Sequence, residues 1–133
     1  MKLTTRSEYA LLALLYLARH YSQDYVTVET VAAAQIIPHK YLEQIMLALK
    51  RARYVKSSKG QRGGYRLAKP ADAINLAEII RLFDGALAPT DSVSEYFYGT
   101  TPVEKEGKLV AVLRNIRDFA AQKLESTTLA DVS

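Results

Sequence analysis

The chain of 133 residues has no cysteine and only two histidines. Without cysteine it can form no disulfide, no thiolate-bound metal site and no cysteine nucleophile, and this composition fits a cytoplasmic protein. No Ser/His/Asp set, carboxylate pair or metal-ligand cluster stands at a spacing that suggests catalysis. We therefore expect a protein that is not an enzyme and that carries no cofactor or metal.

Long apolar segments are lacking too. The longest unbroken apolar run, residues 9–18, has ten residues, whereas a helix that crosses a membrane needs about twenty. Glu8 interrupts the basic residues before this run and no small-residue cleavage site follows it, so a signal peptide is not expected. The run is predicted to be a buried helix, and no membrane partner is expected.

Acidic residues are nearly absent from residues 39–69, which hold nine Lys or Arg and a single acid, Glu43. This segment has a net charge of +8, while the rest of the chain carries nine basic and thirteen acidic residues, a net charge of −4. Positive charge gathered into one segment of an otherwise acidic chain is typical of a surface that binds a polyanion.

Two helical patterns separated by a tight turn lead into this segment. Thr27 is a good N-cap for a helix over residues 28–35. Pro38 favours the first position of the next helix, because its fixed φ suits that place. The lengths and order match a helix-turn-helix. Small residues for close packing in the first of these helices are Val31, Ala32 and Ala34, and the second helix has an apolar stripe of Tyr41, Leu42, Ile45, Met46 and Leu49.

The other face of the second helix carries Lys40, Glu43, Gln44, Leu47 and Lys50. In a major groove, Gln can pair with adenine, Glu can accept from cytosine N4, and Lys can reach guanine or phosphate. Taken alone, the same pattern also describes an ordinary solvated helix face.

The residues that follow predict a β-hairpin with a basic tip. Residues 54–58 and 65–67 suit strands, and the turn KGQRGG between them is too rich in glycine for a core. Lys59 and Arg62 would project from the tip, where a narrow minor groove attracts cations. A plain surface hairpin is the alternative, and a nucleotide-binding loop is excluded because a strand follows the glycines. Helix, hairpin and charge together predict a winged helix-turn-helix that binds DNA, in a mainly α fold with a small β-hairpin.

Two further helices complete this predicted domain. Thr5 and Glu8 have capping-box spacing, so a helix should begin near Arg6 and run to about His20. Asn75 and Glu78 repeat that spacing, and Gly85 is suited to end the helix that they start. The DNA-binding domain is thus expected to comprise residues 1–85.

The remaining chain divides into an irregular segment, 86–107, and a helical tail, 108–133. The irregular segment contains Tyr96, Phe97 and Tyr98, and its length favours a sensor-type or disordered loop. A long helix is predicted over residues 104–124, with apolar residues on more than one face. Dimerisation through this helix is favoured over packing on its own domain, and at about 1.5 Å per residue it would run close to 30 Å, near the roughly 34 Å spacing of dimeric helix-turn-helix proteins. The candidate dimer residues are Leu109, Val112, Leu113, Ile116, Phe119, Ala120 and Leu124.

Three blocks of the sequence resemble one family: MKLTTRSEYALLALLYLA, IPHKYLEQIMLALKRARYVKSSKGQRGGYRLAKP and INLAEIIRLFDG. They are similar to the IscR- and CymR-like bacterial winged-helix repressors of the Rrf2 type, and TTLAD at residues 127–131 resembles the usual ending of that family. The resemblance implies a homodimer on a partly palindromic operator, with the long helix crossing between subunits. It further implies that Glu43 and Gln44 face the bases, that residues 59–63 form the wing tip, and that phosphates lie near Thr4, Thr5 and Arg6.

The sequence departs from the family in two places. Many members bind an iron–sulfur cluster through three cysteines after the fourth helix, and the chain has none, which excludes a cysteine-ligated cluster. Arg53 stands where relatives usually have glycine. If the backbone at that position is left-handed, Arg53 destabilises the fold by about 1 kcal/mol or more. The local geometry of this turn is therefore expected either to bear that strain or to differ from that of the relatives.

A homodimeric repressor of transcription that binds double-stranded DNA without a cluster is the favoured function, with an unknown small-molecule or protein effector left open. A protein-interaction adaptor, in which the long helix and the aromatic loop bind a partner, is the alternative. The candidate DNA-binding residues are Thr4, Thr5, Arg6, Thr27, His39, Lys40, Tyr41, Glu43, Gln44, Lys50, Lys56, Ser58, Lys59, Gly60, Gln61, Arg62, Gly63 and Tyr65.

Overall fold

A computed structural model of the chain describes residues 2–21, 24–60 and 63–133. The α-helices in these ranges are α1 (Thr5–Arg19), α2 (Val28–Gln35), α3 (His39–Arg51), α4 (Leu76–Asp84), α5 (Gly107–Glu125) and α6 (Leu129–Val132). Strands β1 (Val55–Ser58) and β2 (Gly64–Leu67) form an antiparallel hairpin between α3 and α4. The predicted fold, mainly helical with a small hairpin, is confirmed.

The core forms around α1, which contacts α2, α3, α4, α6 and β2. Its apolar run buries Leu14 and Leu17 against Leu42, Ile45 and Met46 of α3. Each such side chain contributes about 1.5–3 kcal/mol by leaving water, so the run that first suggested a buried helix is the centre of the domain. Among the described residues, no helix is long and apolar enough to cross a membrane.

Side-chain caps define where several helices begin. The capping box at Asn75 is confirmed, since Asn75 N donates to Glu78 Oε2 at 2.8 Å and Glu78 N donates to Asn75 Oδ1 at 2.9 Å. Thr27 caps α2 as predicted, its Oγ1 accepting from Thr30 N at 3.2 Å. The prediction for α1 was wrong by one residue: Thr4, not Thr5, is the N-cap, and its Oγ1 accepts from Ser7 N at 3.3 Å.

Three other details differ from prediction. Pro38 is the N-cap of α3 rather than its first helical residue, because its ψ of 128° is extended. Ala34 is exposed, since the packed face of α2 is formed by Val31 and Ala32. Helix α5 begins at Gly107 rather than near residue 104, because Pro102–Lys105 forms a separate 3-10 helix.

The chain between α4 and α5 and the chain after α5 both pack on the rest of the molecule. Residues 86–107 contain the 3-10 helices Asp91–Val93 and Pro102–Lys105 and bury Leu87 and Val93. After α5, the chain turns back so that Leu76 N donates to Thr127 O and Leu129 N donates to Ile74 O, both at 2.9 Å. Leu129 is fully buried in the core, and a capping box between Thr128 and Asp131 holds α6 in place.

Candidate nucleic-acid interface

Helix α3 presents a polar face outward because its apolar side chains are spaced to meet the core. Leu42, Ile45, Met46 and Leu49 are buried. Four of the five apolar-stripe residues therefore lie where the spacing predicted, and the fifth, Tyr41, is half-exposed with its ring edge-on to Tyr9 of α1 at 5.5 Å. The exposed residues on the remaining surface include Lys40, Glu43, Gln44, Leu47 and Lys50.

The start of α2 is fastened to the hairpin. Val26 N donates to Tyr65 O at 2.8 Å and Tyr65 N donates to Val26 O at 2.7 Å, so β2 pairs with the residue before the N-cap. Because the N-terminal N–H groups of a helix carry partial positive charge, this end of α2 can accept an anion. The pairing sets that end of α2 and the hairpin at a fixed distance.

Glycine is required where the two segments meet. At Gly64, with φ +154°, an added Cβ would lie 2.2 Å from Val26 O. Gly63 faces a similar limit, because its Cβ would lie 2.5 Å from Ser58 O, and its N–H donates to Gly60 O at 2.9 Å to close the turn. The glycine-rich turn therefore brings the hairpin against α2, and Lys56, Ser58, Lys59 and Gly60 remain exposed.

These elements surround an open cleft of about 340 Å³. Sequence-predicted residues from α2, α3 and the hairpin converge on it. Burial and the charge of Glu43 raise the pKa of Tyr65, which follows the cleft residue Gly64 in β2. The cleft is lined by Thr27, Val28, Glu29, Glu43, Ser58, Gly60, Gly63 and Gly64. Two predicted residues, Gln61 and Arg62, lie outside the described residues.

Glu29 is a cleft residue that the sequence analysis missed. Its Oε1 lies 3.0 Å from His39 Nε2, and on the other side of the ring Glu43 Oε1 lies 3.3 Å from His39 Nδ1. A backbone hydrogen bond, followed by the hydrogen bond to His39, lowers the pKa of Glu29. The i, i+4 spacing of His39 and Glu43 was visible in the sequence, but the turn that brings Glu29 of α2 to the same ring was not.

The predicted residues Thr4, Thr5 and Arg6 are exposed at the start of α1, and two of them have partners on α4. Thr4 N donates to Asp84 Oδ2 at 3.1 Å and Thr4 Oγ1 donates to Asp84 Oδ1. The Arg6 guanidinium lies 5.4 Å from the centre of the Phe83 ring. Burial raises the pKa of Asp84, but hydrogen bonds from Thr4 and Ser7 and the charge of Arg6 outweigh it, so the pKa is lowered.

Two of the nine cations in the basic segment cover aromatic rings. The Arg66 guanidinium lies 5.6 Å from the Tyr21 ring and 5.7 Å from the Tyr25 ring. The Lys69 ammonium lies 4.7 Å from the Tyr54 ring. Burial and a hydrogen bond to Glu78 raise the pKa of Tyr54 to about 12. These cations stabilise the base of the hairpin, and the positive charge available to a polyanion is concentrated on α3 and the hairpin tip.

The predicted dimer residues separate onto two faces of α5. Leu113, Ala120 and Leu124 are half-buried toward their own domain, where Leu124 packs against Ala77, Ile80 and Leu87. Arg117 and Glu125 fix that orientation: Arg117 Nη1 donates to Val93 O at 2.9 Å, and Arg81 Nη2 donates to Glu125 Oε1 at 2.7 Å. The other face leaves Leu109, Val112, Ile116 and Phe119 between 48% and 75% exposed.

The irregular segment forms a pocket with α4 and α5, but the pocket is small. Its volume is about 10 Å³, and its lining includes Arg81, Tyr96, Phe97 and Arg117. That volume is about what one water needs, whereas pockets for small molecules measure roughly 300–1,000 Å³. This pocket is therefore too small for a small-molecule effector, but an open depression of about 430 Å³ lies between Glu95 and α5.

The residues that the structure describes do not fit a cysteine-ligated iron–sulfur cluster. The chain has no cysteine to supply thiolate, and the described residues contain no group of three His, Cys, Asp or Glu that could hold a metal ion. At His39 the two carboxylates face opposite ring nitrogens, so they do not converge on one point.

Comparison with known proteins places this architecture among bacterial regulators. The family described as Rrf2, Iron-dependent Transcriptional regulator, matches residues 3–133. Rv1287 of Mycobacterium tuberculosis strain H37Rv is 38% identical over 134 aligned residues, which cover 100% of this chain and 81% of that protein. The solved structure of CymR, the global cysteine regulator of B. subtilis, superposes with a TM-score of 0.80 at 31% identity, covering 99% of this chain and 95% of CymR. IscR of T. potens gives a TM-score of 0.70 at 29% identity, covering 99% and 85%.

Proposed function

The chain belongs to the Rrf2 family of DNA-binding transcriptional regulators, and we propose that it is a homodimeric, sequence-specific repressor that works without an iron–sulfur cluster. The observation that carries this proposal is the cleft in which α2, the outer face of α3 and the hairpin meet. A major groove about 12 Å wide accepts one helix, and the hairpin beside α3 would then lie over the neighbouring backbone.

Base reading is assigned to the first two turns of α3. Lys40, Glu43 and Gln44 are exposed on successive turns of the helix, and their head groups suit guanine, cytosine and adenine respectively. Tyr41 would assist from the flank, supported by Tyr9. His39 precedes these residues, and its role is argued below.

Phosphate binding is assigned to the margins of the same surface. The start of α2 with Thr27 offers helix N–H groups, and the cations of α3 and the hairpin offer charge. The start of α1 would lie near the DNA backbone as well, although Thr4 already donates hydrogen bonds to Asp84. The proposed phosphate-contacting set comprises Thr4, Thr5, Arg6, Thr27, Lys50, Lys56, Ser58, Lys59, Gly60, Gln61, Arg62, Gly63 and Tyr65.

The exposed stripe on α5 supports a homodimer. Leu109, Val112, Ile116 and Phe119 recur at intervals of three and four residues, which is the spacing of an a/d seam between two helices. Since a different face of α5, about a quarter turn around the helix, packs on its own domain, a second copy can cover the stripe without unfolding either chain. At about 1.5 Å per residue, the 19 residues of α5 extend about 28 Å, and the pair would hold two α3 helices over one duplex.

Independence from a cluster is proposed because the chain lacks the thiolates that iron–sulfur clusters require. Repression would follow if the site overlaps a promoter, and such a protein would act in the cytoplasm, where bacterial DNA lies. The effector at residues 86–107 can be a protein, since Tyr96 and Tyr98 are exposed, or a small molecule in the open depression of about 430 Å³ beside Glu95.

The proposal is tested by selecting bound fragments from the host genome and titrating two variants on them. Gln44→Ala should change base preference, costing about 1–3 kcal/mol on the selected site and little on unselected DNA. Lys50→Ala should instead weaken binding to every duplex and lower the slope of log K against log salt by about 1. Equal losses for Gln44→Ala on selected and unselected DNA would reject its base-reading role.

A further inference from the structure

The first residue of α3, His39, lies between two carboxylates from different helices. Its Nε2 is 3.0 Å from Glu29 Oε1 on α2, and its Nδ1 is 3.3 Å from Glu43 Oε1, one turn further along α3. The side chain of His39 is 39% exposed, whereas those of Glu29 and Glu43 are 72% and 53% exposed. The ring therefore links α2 to the middle of the outward face of α3.

The Glu29 contact has the geometry of a hydrogen bond, whereas Glu43 Oε1 lies 3.3 Å from Nδ1 as an ion pair, and the two contacts together favour the protonated ring. A neutral imidazole has one N–H and one lone pair, so it can donate to one carboxylate while the lone pair repels the other. The imidazolium ion has two N–H groups and can donate to both carboxylates at once. Loss of the proton would release one carboxylate and leave two negative charges uncompensated.

We propose that His39 is a positioning residue: as the imidazolium ion it holds the Glu43 carboxylate in the orientation that faces the bases and makes DNA affinity and base preference depend on pH. This inference rests on the proposed DNA-binding function and adds a specificity device to the same surface. It assigns both ring nitrogens of His39 to carboxylates, so the ring acts on DNA through Glu43.

Histidine is the side-chain type whose ordinary pKa lies nearest neutrality, and the carboxylates of Glu29 and Glu43 are the charged groups in contact with the His39 ring. Lys40 is its neighbour on α3, and Tyr65 of the hairpin interacts with Glu43. The pKa of Glu29 is lowered and that of Tyr65 is raised, so both shifts move those groups away from neutrality. From α1, the phenol ring of Tyr9 lies against Tyr41 of α3.

Two consequences follow when the proton leaves. The surface that faces DNA phosphates loses one positive charge for each protomer, which weakens binding to all sequences. In addition, Glu43 gains rotamer freedom, which alters preference at the bases that it contacts. The second effect separates positioning from a simple contact between His39 and phosphate.

The contact of His39 with the Glu29 and Glu43 carboxylates, called the bridge below, is tested first in the free, full-length protein by 15N spectra of the imidazole rings. At pH 6.5 the imidazolium fraction of His39 should fall in Glu43→Gln and in Glu29→Gln. The other histidine, His20, is an internal control, because its Nδ1 lies 2.8 Å from Tyr16 O and its ring stacks on Tyr16 at the far end of α1. An unchanged His39 signal in both variants would overturn the bridge without any reference to DNA.

The reading role is tested on a 30-base-pair duplex selected from the genome by the wild-type protein and on its single-base substitutions. Wild-type affinity should be about threefold or more higher at pH 6 than at pH 8. His39→Gln should flatten this response, whereas Glu43→Gln should keep the part that follows from the charge of His39. His39→Gln should also change preference at the same base positions as Glu43→Gln. His20→Gln, the matched control, should keep the wild-type profile.

The outcomes separate the proposals. A uniform loss of affinity in His39→Gln with base preference intact would show a phosphate contact and overturn positioning, as would a base preference of the wild-type protein that does not change between pH 6 and pH 8. Failure of the wild-type protein to bind any duplex in low salt would overturn the proposed function and the reading role together, while the 15N spectra would still decide the bridge itself.

Discussion

At Gly64 the backbone of the hairpin passes so close to α2 that no side chain fits. An added Cβ would lie 2.2 Å from Val26 O and 2.8 Å from Thr27 N, and the φ of +154° is rarely adopted by other residues. Because the obstacle is backbone, it cannot rotate away as a side chain would. The hairpin can therefore lie beside the start of α2 only because residue 64 is glycine, which has no Cβ.

We expect Gly64→Ala to lower the free energy of unfolding by about 1–3 kcal/mol, because strain and a backbone clash act together. Denaturant titration measures the change. Gly107→Ala is the matched control, since a Cβ there meets nothing within 4 Å, and it should be neutral or stabilising by up to about 1 kcal/mol. Equal midpoints for the two variants would contradict the close approach.

Single residues also show where sequence patterns fail. Ile36 ends α2 with a φ of 56° and is 87% exposed, although β-branched residues avoid the left-handed region. Arg53 has a φ of 67°, so the backbone is left-handed at the position where the family resemblance implies glycine. The arginine there lowers the stability of the turn. Neither conformation follows from the residue type: Ile36 lies in the turn between α2 and α3, and Arg53 lies in the turn between α3 and β1.

Among the α-helices, α6 is the one that the apolar periodicity of the sequence did not predict. Four residues are too few for a helical pattern, and only the family resemblance of TTLAD marked the segment. The structure shows why it matters: Leu129 is 0% exposed within the core of α1 and α3, and the backbone of residues 127–129 pairs with residues 74–76. The end of α5 is thereby attached to the DNA-binding half of the chain.

Leu129→Ala should destabilise the protein by about 2–5 kcal/mol, because a buried leucine leaves both lost contacts and a cavity. Val132 of the same short helix is 42% exposed, and Val132→Ala should change the free energy of unfolding by no more than about 0.5 kcal/mol. Thermal or denaturant unfolding monitored by circular dichroism compares the two. Similar stability in both variants would mean that α6 does not hold α5 to the core.

Other elements were predictable in proportion to their periodicity. The spacing of Leu42, Ile45, Met46 and Leu49 correctly identified the buried face of α3, and the glycine-rich turn correctly placed the hairpin. The predicted start of α5 was wrong because Pro102 begins a separate 3-10 helix before α5. Helix ends depend on a few hydrogen bonds and are the least constrained by apolar pattern.

For the whole molecule, the charge distribution was informative but incomplete. The basic segment predicted a cationic surface, and five of its residues line the cleft, although none of these five is a Lys or Arg. Arg66 and Lys69 nevertheless cover tyrosines. The Tyr21 and Tyr25 rings beneath Arg66 lie some forty residues earlier in the chain, so only the fold could show how that charge is used. The same limit applies to Glu29, which reaches His39 across the helix-turn-helix.

Assembly of two chains is tested by placing charge on the exposed stripe of α5. Ile116→Glu should shift the protein from dimer to monomer in analytical ultracentrifugation, because a carboxylate would be buried in an apolar seam. Ala111→Glu is the control, since Ala111 is exposed on the same helix about one-quarter turn or more from the stripe. Dimers of equal stability in both variants would place the interface elsewhere.

The most direct measurement is a hydroxyl-radical footprint of the wild-type protein on a fragment recovered from the host genome, in low salt. The α2, α3 and hairpin surface of a homodimer should protect two segments related by two-fold symmetry, with centres one or more helical turns of about 34 Å apart. Absence of protection at any protein concentration, or a single protected segment with no symmetry mate, would contradict DNA binding by this surface in a paired molecule.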